Sequence, residues 1–156
     1  MIFYLIYISK TANLMRQKEL EKLLYYSRER NKRRDITGLL LYVEGNFMDN
    51  DDRNLTRKLS GRFIQIIEGN ETEVRALYNS IQHDSRHTHI ILLKEAEIAT
   101  RNFGEWSMGF CAAHIKQEDT GFADLENVFL ESEKSDYFNR PLAFLASFYQ
   151  MSKTKL

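Results

Sequence analysis

Residues 63–81 read Phe63-Ile64-Gln65-Ile66-Ile67-Glu68-Gly69-Asn70-Glu71-Thr72-Glu73-Val74-Arg75-Ala76-Leu77-Tyr78-Asn79-Ser80-Ile81. The first five are apolar except for one glutamine, and Glu68-Gly69 brings turn chemistry, which predicts a buried strand that stops there. Asn70 followed by Glu73 predicts a capping box, and Val74, Leu77, Tyr78 and Ile81 fall at i, i+3, i+4 and i+7, the spacing of one helix face. A strand passes directly into a helix, and Gln65 needs a hydrogen-bond partner inside the strand.

Upstream, Ile2, Phe3, Leu5, Ile6, Tyr7 and Ile8 suit a central strand. Leu20, Leu23, Leu24 and Ser27 then return to helical spacing, with an end expected near Asn31, before Lys32-Arg33-Arg34. Residues 36–43, Ile-Thr-Gly-Leu-Leu-Leu-Tyr-Val, predict a strand closed by Glu44-Gly45. Downstream, residues 89–93 and 106–110 predict two more strands. The order β-α-β-β-α-β plus one strand, with two helices on one face, is an α+β, ferredoxin-like arrangement. Leu125, Val128 and Phe129 form a short amphipathic stretch, and Pro141 can open a helix striped by Leu142, Leu145, Ala146 and Tyr149. The expected division is a domain over 1–113 and a helical extension over 114–156.

The 156 residues suffice for one compact domain, and 22 basic against 22 acidic side chains give no net charge, which disfavours a generic nucleic-acid binder. Hydrophobic residues at 43% exclude a disordered polar chain. The single Cys111 offers no internal disulfide or cysteine zinc site, and MIFYLIYIS is too short to span a bilayer and lacks a basic n-region. A cytoplasmic protein with no membrane association is expected.

No Walker loop, G-x-G-x-x-G or H-E-x-x-H is present. The candidates are polar groups inside or beside apolar elements: Tyr7, Asn31, Gln65 and the Arg86-His87 pair. Together with Tyr7-Ile8-Ser9, Ser27-Arg28, Ile36 to Tyr42, Phe63 to Gly69, Asp84 to His87, Arg101-Asn102-Phe103 and Trp106 to Phe110, in this order, the chain resembles the BLUF domain, the blue-light sensor using FAD.

The resemblance implies a flavin ring between the two helices. Leu23 and Ile81 would flank it, although both suit a plain core role. Asn31 would pair with its polar edge, or cap the helix C-terminus. Arg30, Arg86 and His87 would lie near the cofactor, or Arg86 would only pair with a surface carboxylate. Tyr7 would give an electron and a proton to the excited flavin through Gln65, whose amide inverts or tautomerises as the switch; the bland alternative is a tyrosine and a glutamine satisfying each other in a core. Trp106 and Met108, on one face of the last strand, would relay the change, although ordinary packing explains them as well.

One departure stands out. The beginning of the motif occurs twice, as Gly45-Asn46-Phe47-Met48 and as Gly61-Arg62-Phe63-Ile64, and only the second is followed by Gln65. The stretch 46–61 is therefore expected to protrude from the hairpin, as a tolerated insertion, a partner-binding extension or a perturbation that blunts photoactivity. The reading is a light-responsive sensor and not an enzyme, with FAD as chromophore. Its signal would pass to a partner protein or through homo-oligomer assembly. The competing reading is a ferredoxin-like binding or oligomerisation module without photoactivity; a flavoenzyme lacks a catalytic constellation.

Overall fold

A computed structural model describes residues 1–48, 57–104 and 108–112. The expected helical extension 114–156, Trp106 and residues 49–56 of the insertion lie outside the described residues. The elements are β1 (Ile2–Thr11), α1 (Gln17–Arg33), β2 (Thr37–Met48), β3 (Arg57–Gly69), α2 (Glu71–Gln82), β4 (His87–Ile98) and β5 (Gly109–Ala112). The sheet runs β4-β1-β3-β2-β5, with β5 parallel to β2 and every other pair antiparallel. This is the expected ferredoxin-like α+β order with its additional strand.

Long apolar runs in β1, β2 and β3 follow from burial on both sheet faces. On the helical side Phe3, Leu5, Tyr7, Leu40, Tyr42, Phe63 and Ile67 join Leu20, Leu24, Val74, Leu77 and Ile81 in one core. On the other side Tyr4, Ile6, Leu39, Leu41, Ile64 and Ile66 are equally buried. Gly38 permits the close β2–β3 approach, since a Cβ there would lie 2.1 Å from the Ile66 carbonyl oxygen. The registers place Leu92, Tyr7, Gln65, Leu40 and Phe110 in one row across all five strands.

Helix α1 runs two residues past Asn31. Asp35 adopts φ 53°, the Ile36 N–H donates to the Asn31 carbonyl at 2.9 Å and the Asp35 N–H to that of Lys32 at 3.4 Å, a Schellman ending. The cap is thus Arg34, not Asn31. At the start of α2 the Asn70 side chain accepts from the Thr72 N–H at 3.0 Å. The expected Glu73 half of the box is replaced by an approach of its carboxylate to Arg34 at 3.9 Å, because the guanidinium offers an opposite charge.

The described residues of the insertion extend the hairpin itself. Gly45 pairs with Ser60, Asn46 with Leu59, Phe47 with Lys58 and Met48 with Arg57, so β2 and β3 lengthen together without a change of register. An equal number of residues added to both strands keeps the antiparallel ladder intact, and Gln65 stays opposite Tyr7. Strand β4 behaves differently, with register shifts beside Tyr7 and Ser9 of β1 and His89 at φ 53°. These bulges bend the strand next to the residues that build the site.

Candidate functional site

Between α1 and α2, above the centre of the sheet, lies a cleft lined by Leu23, Ser27 and Arg30 from α1 and Ile81 from α2. Its floor is Tyr7, Leu40, Phe63 and Gln65, and the turn after α2 adds Asp84, Arg86 and His87. Apolar walls over a few polar groups are the usual make-up of cofactor sites. Of the residues singled out in the sequence, Tyr7, Gln65, Leu23, Ile81, Arg30, Arg86 and His87 meet here.

Tyr7 and Gln65 are directly opposed on neighbouring strands, and their alternation turns both toward the helices. The buried Tyr7 hydroxyl donates to Gln65 Oε1. Gln65 Nε2 donates in turn to Met108 Sδ at 3.4 Å. The chain hydroxyl, amide, thioether fixes the amide's orientation. Turning it over would set Oε1 against sulfur, two acceptors face to face, and present Nε2 to the tyrosine oxygen. Met108 is buried and lies one residue before β5 rather than within the strand. Its backbone carbonyl accepts from Arg28 Nε at 3.0 Å, which ties it to α1.

Burial pushes the Tyr7 phenol far above its ordinary value, with the Arg30 cation opposing the shift, so Tyr7 is a neutral hydrogen-bond donor. The Tyr78 ring is 5.7 Å from it and the His87 ring 6.2 Å, closing the site on the α2 side.

His87 Nε2 faces the Ile81 carbonyl at 2.7 Å, so it carries a proton there; Nδ1 lies 2.8 Å from Ser9 Oγ. Both ring nitrogens are engaged within the protein, and His87 offers the cleft its ring rather than a hydrogen bond. Arg86 makes the surface-carboxylate pair weighed for it, with Nε 3.0 Å from both Asp84 oxygens and Nη2 2.5 Å from Oδ2. That pairing holds the Asp84 carboxyl below the usual range.

Arg30 is half-buried, its acidity raised first by desolvation and then by the cations of Arg34 and Arg86. Its buried Nε has no hydrogen-bond partner among the described residues. Three guanidinium groups near one another suit an anionic ligand at the cleft. A slot with Leu23 and Ile81 on its two sides, Tyr7 and Gln65 at its floor and cations near its rim therefore fits a flavin nucleotide.

Asn31 is fully buried in the last turn of α1, and its side chain is not among those lining the cleft. Ser9, Arg28 and Glu68 were not singled out as site residues. Ser9 and Arg28 stand within the motif runs; Glu68 is a fully buried carboxylate at the end of an apolar strand, a signal in itself. Among the described residues no cluster could hold a metal ion, and no helix is long and apolar enough to cross a membrane.

Comparison with known proteins agrees with this geometry. The family described as "Sensors of blue-light using FAD" matches residues 2–50 and 49–109, in two pieces that meet at the duplicated motif. The Escherichia coli (strain K12) "Blue light- and temperature-regulated antirepressor BluF" is 25% identical over 148 residues, 95% of this chain and 33% of that protein. "Photoactivated adenylate cyclase subunit alpha" of Euglena gracilis is 33% identical over 100 residues, 64% of this chain and 8% of its own length. The chain thus spans about a third and less than a tenth of these two relatives. Among solved structures, the photo-activated state of BlsA superposes with a TM-score of 0.58 at 26% identity, covering 89% of this chain and 83% of that one. Klebsiella pneumoniae BlrP1 in a manganese/cy-diGMP complex gives 0.68 at 25%, covering 95% and 32%. The chain belongs to the BLUF family, the sensors of blue light using FAD.

Proposed function

We propose that light switches the Gln65 amide in this chain, and that the turned amide expels Met108 from its present contact. The observation that carries the reading is the continuous chain from the Tyr7 hydroxyl through Gln65 to Met108 Sδ. FAD, when bound, supplies a ring that absorbs blue light and becomes a strong oxidant. Leu23 and Ile81 would hold that ring by apolar contact and Arg30 and Arg86 would attend its charged part, while Asn31, buried beside the cleft, would have to turn its amide into it to pair with the polar edge. Tyr7 gives up an electron while its hydroxyl proton passes to Gln65 Oε1, toward which it already points.

Once electron and proton are back on Tyr7, the amide has turned and Oε1 faces the Met108 sulfur. Two acceptors in contact repel, so Met108 leaves and its backbone carbonyl, which accepts from Arg28 Nε, moves with it. Trp106 takes part in the same relay. The Tyr7 O–H bond is broken and re-formed with no net bond made or lost, so the cycle leaves the protein as it began. The domain 1–113 is the sensor and not an enzyme, and 114–156 is a helical extension; a partner protein in the cytoplasm receives the signal. The relatives named as an antirepressor and as cyclase subunits support an output of this kind, through contacts with an effector.

Absorption spectra in darkness and blue light test the reading. The reconstituted protein is expected to bind FAD and to shift reversibly to longer wavelength. Gln65→Leu is expected to keep the flavin and lose the shift. A Gln65→Leu protein that shifts like the wild type ends the proposed role, and a wild type that takes up no FAD ends the sensor reading for this chain.

A further inference from the structure

Behind the switch, on the opposite side of β3, Glu68 is fully buried. An isolated carboxylate there would be very costly, and the chain supplies it with three donors: Thr37 Oγ1 at 3.0 Å and the Phe103 N–H at 2.7 Å to Oε1, and the Asn102 N–H at 3.0 Å to Oε2. Two of these donors are consecutive backbone amides of the connection between β4 and β5. The same connection is held through Arg101, whose Nη1 donates to Thr37 Oγ1 at 3.0 Å and whose Nη2 donates to the Asp35 carbonyl at 2.8 Å and to its carboxylate at 3.0 Å. Asp35 is the left-handed residue that ends α1. The end of α1, the start of β2, the end of β3 and the connection to β5 therefore share one polar knot.

We infer that Glu68 is a positioning residue for the light switch: its carboxylate clamps the connection upstream of Met108, so that the sulfur waits where the Gln65 amide returns. The connection is pinned at Asn102 and Phe103 by Glu68, and again at Met108 by Arg28. Four residues separate the two anchors in the sequence, so the first limits how far Met108 can move from the second. The inference rests on the proposed Gln65 switch.

Glu68→Gln is the informative substitution, because it keeps the shape and removes one of two acceptor oxygens. Its amide NH₂ has to face one of the donors, which leaves a buried N–H unpaired. In the FAD-loaded 156-residue chain we expect the Asn102 and Phe103 amides to exchange with solvent about tenfold faster in darkness, the factor that goes with losing one charge-assisted hydrogen bond. The dark recovery of the red-shifted state is expected to slow by about tenfold as well, since the returning amide no longer finds its sulfur in place.

Faster amide exchange with recovery as quick as in the wild type, or quicker, overturns the inference, because the clamp would then be structural only. Unchanged amide exchange also overturns it. If Glu68→Gln does not fold, Thr37→Ala removes one donor and one acceptor of Arg101; slower recovery supports the clamp and unchanged recovery refutes it. A wild type without any light-induced shift refutes the Gln65 reading instead, while amide exchange still reports on the clamp.

Discussion

Met108→Leu isolates the sulfur from the volume of the side chain. Leucine fills nearly the same space, so a loss of less than about 1.5 kcal/mol in folding stability is expected, measured by urea unfolding. What disappears is the acceptor 3.4 Å from Gln65 Nε2. A neutral intramolecular hydrogen bond contributes about 0.5–1.5 kcal/mol, and sulfur, a weak acceptor, sits at the lower end, about 0.5–1 kcal/mol. The same substitution removes the repulsion that penalises the turned amide. Both effects lower the drive to return, and as the bond re-forms during the return the barrier rises by up to that amount. Dark recovery, followed by the decay of the red-shifted absorption after a blue flash, is therefore expected to slow by roughly two- to fivefold, from RT of about 0.6 kcal/mol and the bond energy above. Recovery at the wild-type rate or faster would refute the assignment of Met108 as the partner that makes the two amide orientations unequal.

Tyr7→Phe should retain flavin and show no light-induced shift; a normal shift in its spectrum would exclude Tyr7 as the donor. Because burial raises the Tyr7 pKa, the phenol stays protonated where a free tyrosine ionises near pH 10. The size of the spectral shift should therefore be flat up to that pH. Folding stability should fall above it, since the unfolded chain releases a proton that the native one keeps. Ile81→Ala should weaken FAD retention by about tenfold or more through lost apolar contact, read by titration of the apoprotein. Excising 46–61 joins Gly45 to Arg62 while Val43 still faces Arg62, with Glu44-Gly45 as a two-residue hairpin loop. This shortened chain should still bind FAD and respond to light, and loss of flavin would refute the equivalence of the two motif copies.

The order of elements was legible because each change of period was abrupt: Ile67 to Val74 passes from strand to helix across Glu68-Gly69-Asn70, and a turn and a cap mark the place. Tyr7 and Gln65 were legible as a pair only through the family pattern, since they lie 58 positions apart and nothing local links them. The state of His87 was not legible, and that of Arg86 only as one of two alternatives. The His87 partners, the Ile81 carbonyl and Ser9, depend on how the turn after α2 meets β1, whereas the Asp84 carboxylate two residues from Arg86 was one of the two readings the sequence left open. The form of the insertion was not legible either. Its charged composition marks a segment outside the core, but the pairing of residues 45–48 with 57–60 is made by backbone groups, which composition does not report. Glu68 escaped attention because a carboxylate next to glycine reads as turn chemistry, and its donors come from Thr37 and from Asn102 and Phe103, more than 30 positions away on either side.

The row Leu92, Tyr7, Gln65, Leu40, Phe110 places the glutamine on the middle strand of five. With strands about 4.8 Å apart, either edge of the sheet is about 10 Å from it. A disturbance born at Gln65 has equally far to go to β4 and to β5, crossing one strand on each side before it arrives. Position in the sheet therefore gives neither rim an advantage, and the bond to the Met108 sulfur, beside β5, is what breaks the symmetry.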